Sequence, residues 1–242
     1  MSVFPVLSGA GEDEPMPSHI YFDFFGTLVR YDPSILPSAF NAPLEFARRA
    51  SARVGQAEVD VLWTRAWDEL DSAAHRSGRE CSMLQIASRY WELLGSPTIG
   101  EGELARLVRE YLAVWSAQVA PAADVRSCLQ DLCADHVLSV VSNTHDAALV
   151  PRLLRELQLD TYFDRVFTSI ELGWRKPHRQ IFRMVLDAHG IAAQDAVFVG
   201  DNWDADIRGP QAVGMRAYYV GAPGRGREPV SLAQLPGVVR GA

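Results

Sequence analysis

Apolar and polar positions divide the chain into three stretches. Ile20 to Phe22 is a short apolar run that ends on Asp23 and meets a turn carrying Gly26 and Thr27, the form of a buried strand in a parallel sheet. From Pro43 to Trp115 the apolar residues recur at helical spacing. A helix over 43–54 has Pro in its first turn and Gly55 after it. A second carries Val59, Leu62, Trp63, Ala66 and Leu70 on one face. A third opens with a capping box, Ser82 to Gln85, continues through Met83, Ile86, Ala87, Tyr90 and Leu94, and is stopped by Gly95 and Pro97. A fourth places Leu104, Leu107, Val108, Tyr111, Leu112 and Trp115 on one stripe. Four amphipathic helices without an intervening strand predict a small helical domain inserted into another, with Trp63, Trp67, Trp91 and Trp115 mostly in its core.

From Ala120 helix and strand alternate. A helix over 124–132 leads to a strand over 137–141 ending at Ser142 and Asn143. A helix with Val150, Leu153, Leu154 and Leu157 leads to a strand over 166–169. Another, with Ile181, Met184, Val185 and Ala188, leads to a strand over 196–200, and a short helix precedes the last strand, 217–220. Repeated strand–helix units imply an α/β core, a parallel sheet covered on both faces. The tail from Gly221 is rich in Gly, Pro and Arg, with one apolar stretch, 232–239, suited to docking.

Composition narrows the class. The 242 residues, 48% hydrophobic and 22% charged, suit one large domain or a core plus a smaller one and exclude a mainly disordered chain. A formal net charge of −7 and a pI of about 5.4 leave no electrostatic footprint for nucleic acid. No apolar run approaches the roughly 18 residues that span a bilayer. Residues 1–18 lack the pattern of a signal peptide and read as a flexible acidic tail. The expectation is a cytoplasmic protein, monomer or homodimer, acting on a small molecule and not on nucleic acid or membrane. Cys81, Cys128 and Cys133 form no metal or redox spacing and read as free core thiols. Of the 23 basic residues, Lys176 is the one lysine.

Candidate chemistry gathers at the strand ends. Asp23 ends the first strand, Ser142 and Asn143 the second, Asp201 a later one, and Lys176 precedes a helix; in a parallel sheet these ends converge on one edge. Two carboxylates brought together repel unless cations compensate, either Lys176 or a bound divalent metal. Hard oxygen ligands with open positions suit Mg²⁺. Gly200 to Asp206 offers further acids at a strand–helix turn whose N–H groups also favour anions. An Asp nucleophile, hydroxyl and amide donors, a Lys and a metal are the parts for transfer through an aspartyl-phosphate. Singly each piece has a plain structural role: Ser142-Asn143 as a helix cap, Lys176 as a surface residue, Asp204 and Asp206 as first-turn acids. Their joint order carries the reading.

On these residues the chain resembles the haloacid dehalogenase superfamily, which includes many phosphatases. Asp23-Phe24-Phe25-Gly26-Thr27-Leu28 is similar to its first motif, Val140-Val141-Ser142-Asn143 to the second, Arg175-Lys176-Pro177 with Ile181 and Phe182 to the third, and Gly200-Asp201 through Asp206 and Gly209 to the fourth. The match runs roughly from Ile20 to Val220. The resemblance implies a Rossmann-like parallel sheet core, 19–33 and 117–242, with helices on both faces, and an inserted all-α helical-bundle cap, 34–116. It implies Asp23 as nucleophile, Ser142 and Lys176 as catalytic partners, and Thr27, Ser142, Asn143 and Lys176 around the phosphate. It further implies Mg²⁺ held by Asp23, Asp201 and the backbone carbonyl of Phe25, with Asp206 in support.

One position departs from the pattern. Family phosphatases usually carry a second Asp two residues after the nucleophile, protonating the leaving oxygen and then deprotonating the attacking water; here Phe25 stands there. General acid–base help is worth about 10²–10⁴ in rate. Either the leaving group needs no proton, as with a halide, an acyl phosphate or an acidic phenol; or His145, His178, Asp204 or His75 supplies one; or the fold now only binds a ligand. The phosphonate-cleaving branch needs a cap Lys, which this chain lacks. Haloacid dehalogenases carry an aromatic at Phe25 but dispense with metal and normally lack Asp201. The reading is therefore a Mg²⁺-dependent phosphatase acting on a small-molecule phosphate, with a 2-haloacid dehalogenase-like hydrolase and a silent binding member as alternatives. Phe25, Trp174 and Trp203 together suggest an apolar lining to the entrance.

Overall fold

The protein is described by a computed structural model over residues 16–31, 41–50, 52–95, 99–100 and 102–241. In chain order the elements are β1 (His19–Phe22), β2 (Val29–Arg30), α1 (Ala42–Arg49), α2 (Gln56–Ser77), α3 (Met83–Leu93), α4 (Glu103–Ser116), β3 (Ala120–Pro121), α5 (Val125–Leu132), β4 (Val137–Ser142), α6 (Leu149–Glu156), β5 (Arg165–Thr168), α7 (Ser169–Leu172), α8 (Arg179–His189), β6 (Ala196–Gly200), a π-helical turn over Trp203–Arg208 that runs into α9 (Gly209–Gln211), β7 (Arg216–Tyr219) and α10 (Leu235–Arg240).

Five strands form one parallel sheet in the order β5-β4-β1-β6-β7. Phe22 stands opposite Val140 on one side and Val199 on the other, so β1 is central. Its apolar run does not alternate with polar residues because both faces are covered. Ile20 and Phe22 pack with Leu129 and Leu132 of α5, Val150 of α6 and Leu235 of α10. Tyr21 faces the opposite way, into Ile181, Phe182 and Val185 of α8. Each large apolar side chain enclosed in this way contributes about 1.5–3 kcal/mol. The chain steps outward from β1 to β4 and β5, then crosses back to β6. The crevice at the carboxyl ends of β4, β1 and β6 is where such sheets bind ligands.

The four-helix insertion enters and leaves through β2 and β3, an antiparallel pair in which Val29 faces Pro121 and Arg30 faces Ala120. Two-residue strands of this kind leave no periodicity, so the sequence does not announce them. In α3 the capping box forms as expected: Ser82 Oγ accepts from Gln85 N–H, and Gln85 Oε1 from Ser82 N–H. The helix expected over 43–54 stops at Arg49, with Ala50 closing its last turn; Pro97, the expected stop after α3, lies outside the described residues.

Two expectations need correcting. Cys81 and Cys128 are buried free thiols, but Cys133, on the outer side of the turn after α5, is exposed. Of the expected acidic tail, residues 1–15 lie outside the described residues. Residues 17 and 18 are tied down: Ser18 N–H donates to the Asp195 carbonyl, and the Pro17 carbonyl meets His136 Nδ1. Trp63 is buried in the insertion and Trp67, Trp91 and Trp115 pack partly buried against its core as expected, but Trp67 and Trp115 also line a cavity. The apolar stretch near the carboxyl end docks, burying Leu232, Leu235 and Val239. Among the described residues no helix is long and apolar enough to cross a membrane.

Candidate active site

Asp23 sits just beyond β1, its N–H donating to the Val199 carbonyl at 2.9 Å. Lys176, 3% exposed, sends its ammonium to the same place. Its Nζ donates to Asp23 Oδ1 and to Asp206 Oδ1, both at 2.7 Å. Asn143, at the end of β4, fixes the Lys176 backbone from both sides. Its Oδ1 accepts from Lys176 N–H at 2.8 Å, and its Nδ2 donates to the Lys176 carbonyl at 2.9 Å. The sequence places Asn143 among phosphate ligands; the structure shows it positioning the lysine.

Two glycines are needed by this packing. Asp206 reaches Lys176 from the π-helical turn, and its Oδ2 accepts from Asn202 N–H. A Cβ on Gly200 would lie 2.3 Å from the Asp206 side chain. Gly26, at φ +88°, turns under Asp201, where a Cβ would lie 2.2 Å from Oδ2. The turn carrying the Phe25 carbonyl and the loop carrying Asp201 therefore touch.

Asp23, Asp201 and Asp206 each offer a carboxylate oxygen within 4.8 Å of the others. Burial, reinforced by Asp206 and Asp201, pushes the Asp23 carboxyl up despite Lys176. Burial and then Asp206 push Asp201 up likewise. At Lys176 burial works to lower the ammonium, but Asp206 and Asp23 outweigh it, so it stays charged. Three carboxylates against one ammonium leave an excess of negative charge that a divalent cation relieves. The oxygen-only donor set fits a hard cation such as Mg²⁺. Both Asp206 oxygens are already engaged by Lys176 and Asn202, which leaves Asp23, Asp201 and the Phe25 carbonyl to ligate.

The remaining expected residues are less engaged. Ser142 is wholly buried, with a long 3.4 Å contact from Oγ to the Asn143 carbonyl. Thr27 Oγ1 is enclosed without a hydrogen-bond partner of good geometry, although the hydroxyl is near enough to hold Asp201 down.

The four suggested substitutes for the missing acid scatter. Asp204 is exposed and meets Arg208. His178 stacks on Trp174 and caps α8. His75 is exposed in a groove that also reaches Lys176. His145 is locked into the junction between core and insertion: its Nδ1 lies 2.9 Å from the Cys81 carbonyl and 3.2 Å from Glu80 Oε1, its Nε2 3.7 Å from Asp71. Burial lowers it, but hydrogen bonds to Cys81 and Glu80 win and push it up to about 10. Glu80 also accepts from Ser169, and Arg175 pairs with the partly exposed Asp71 at 2.6 Å, so the cluster is a half-buried set of balanced charges.

Nor do Trp174 and Trp203 join Phe25. Arg79 and His178 cover Trp174, and Trp203 packs on Tyr219. Phe25 instead meets Tyr31 and Trp115, edge to face, with ring centroids 5.6 and 5.2 Å away. These three rings, Trp67, Tyr111 and the Asn143–Asp146 loop line a cavity of about 200 Å³. Trp67 is one helical turn from Trp63, which made it look like core; no local pattern marks Tyr31.

A family model described as haloacid dehalogenase-like hydrolase matches residues 17–214. A phosphoserine phosphatase of Thermus thermophilus is 40% identical over 90 residues, 36% of each chain. A glyceraldehyde 3-phosphate phosphatase of Methanothermobacter thermautotrophicus is 32% identical over 136 residues, 54% of this chain and 60% of that one. The matched stretches thus cover about a third to three fifths of these relatives. Among solved structures, a 2-haloacid dehalogenase of Pseudomonas syringae superposes with a TM-score of 0.69 at 26% identity, over 93% of this chain and 98% of the other.

Proposed function

The chain belongs to the haloacid dehalogenase-like hydrolases, and within that family we propose that it is a Mg²⁺-dependent phosphatase of small molecules, working through an aspartyl-phosphate on Asp23. One observation carries this reading: three carboxylates, two pushed up by burial and crowding, gather at one site where a single buried lysine bonds only two of them. A metal-free site attacking an anionic haloacid gains nothing from Asp201 beside its nucleophile.

Asp23 attacks phosphorus with the oxygen not held by Lys176. The Lys176 ammonium, fixed by Asn143 and Asp206, balances charge on the equatorial oxygens, joined by the Ser142 hydroxyl and loop N–H groups. Asp201, Asp23 and the Phe25 carbonyl would hold Mg²⁺, which when bound draws charge from the phosphoryl oxygens and offsets carboxylate repulsion. Thr27 orders the turn beneath Asp201.

A second reading has its own support. Phe25 occupies a position where dehalogenases carry an aromatic, and the Pseudomonas syringae dehalogenase shares the fold end to end. A panel of acetyl phosphate, 4-nitrophenyl phosphate and 2-chloropropionate separates the two. Phosphate release that needs Mg²⁺ and stops with chelator supports the phosphatase; halide release indifferent to chelator supports the dehalogenase.

A further inference from the structure

We propose that the site takes phosphate esters of acidic hydroxyl groups on an uncharged aromatic body, that is, aryl phosphates whose leaving group departs as the phenolate. This deepens the phosphatase reading and rests on it. The cavity beside the nucleophile is walled by Phe25, Tyr31, Trp67, Tyr111 and Trp115. Two residues of its lining connect it to the candidate site: Phe25 lies two residues after Asp23, and Asn143 holds the backbone of Lys176. A cavity of about 150 Å³ with apolar walls accepts a benzene ring, so about 200 Å³ here accommodates one substituted ring. The Phe25, Tyr31 and Trp115 rings already meet one another edge-on or tilted, at 5.2–5.6 Å, and so offer faces and edges to a further ring.

Charge selects against an anionic body. Among the described residues lining the cavity the one basic side chain is His145, and Glu80 at 3.2 Å and Asp71 at 3.7 Å already counter it. Asp146 adds a negative charge to the same wall. A substrate carboxylate or second phosphate therefore finds no unpaired cation there.

Leaving-group chemistry points the same way. Phe25 cannot protonate the departing oxygen, and His145 turns Nδ1 to the Cys81 carbonyl and Glu80 and Nε2 toward Asp71, 3.7 Å away. Tyr31, whose ring meets Phe25 edge to face at 5.6 Å, brings a phenol hydroxyl to the same wall, and its removal is part of the test below. A phenol has a pKa near 10 and water 15.7, so a phenolate leaves unaided far more readily than an alkoxide. In the first step the Asp23–phosphorus bond forms and the phosphorus–aryl oxygen bond breaks, its electron pair leaving on the phenolate. In the second a water oxygen bonds to phosphorus, the pair of the broken bond returns to Asp23, and both water protons leave with the phosphate as H₂PO₄⁻.

The test is kcat/KM, with Mg²⁺ and the full chain, across 4-substituted phenyl phosphates, an alkyl phosphate and acetyl phosphate. The expected result is a fall of at least about threefold per unit of leaving-group pKa, with the alkyl ester at least about 10²-fold below phenyl phosphate. 4-Carboxyphenyl phosphate should fall below the neutral 4-acetylphenyl ester, and Trp115→Ala should lower the ratio of aryl to acetyl phosphate turnover by about tenfold. A flat series, or one that is flat in wild type and steep in Tyr31→Phe, overturns the inference by revealing a proton donor. Hydrolysis of acetyl phosphate without hydrolysis of any aryl phosphate overturns it while the phosphatase reading stands. No phosphate release from any of these esters removes both.

Discussion

The ammonium of Lys176 lies 2.7 Å from Asp23 and 2.7 Å from Asp206, and all three side chains are buried. The lysine balances the proposed nucleophile and Asp206 at once. Lys176→Met leaves two carboxylates enclosed without that cation. Losing one partner of a buried pair costs about 3–5 kcal/mol. We expect the melting temperature to drop sharply in calorimetry and added Mg²⁺ to restore more of it in the variant than in wild type. A variant that melts with wild type would contradict the assignment.

Gly26 tests the contact between the nucleophile turn and Asp201. Gly26→Ala adds a methyl group where Asp201 Oδ2 stands, on a backbone at φ +88° that side chains resist. The strain costs about 1–3 kcal/mol, and pushing Asp201 aside should weaken Mg²⁺ binding about tenfold, read by titration calorimetry as a loss of about 1.4 kcal/mol. Unchanged Mg²⁺ affinity in a folded Gly26→Ala protein would remove Asp201 from the ligand set.

His145 makes the junction between insertion and core pH-sensitive. Its folded pKa is raised to about 10 from an ordinary 6.5, so its stabilisation is complete below pH 6.5 and is lost as pH rises through 10. Over that window the wild type should lose up to about 1.4 kcal/mol per pH unit from this group. Urea titrations from pH 6.5 to 9.5 should show a shallower decline in His145→Gln. Parallel slopes would mean the imidazole is not held as the cation.

The sequence carries most of the core. Apolar periodicity located each sheet strand to within a residue or two, because buried strands and amphipathic helices leave unambiguous runs. It also brought Asp23, Lys176, Asp201 and Asp206 to one edge, since parallel strands point their ends together. It was silent where distant segments meet sideways. Tyr31 and Trp115 meet Phe25 and Trp67 joins them on the same cavity wall, and nothing local distinguishes a cavity-facing Trp from a core Trp. The Glu80–His145 contact spans 65 positions and depends on how the insertion sits. Asn143 shows a subtler limit: a motif places it at the site, but only geometry reveals that its amide is committed to the Lys176 backbone.

Where the water oxygen goes decides the chemistry at Asp23. In single turnovers in ¹⁸O water, with enzyme in excess over 4-nitrophenyl phosphate and Mg²⁺ present, attack at phosphorus puts the label into released phosphate and leaves the peptide containing Asp23 at its normal mass. That is the predicted result. Label appearing in the Asp23 carboxylate instead, after chelator-insensitive turnover of 2-chloropropionate and with no phosphate released from the aryl ester, would contradict it.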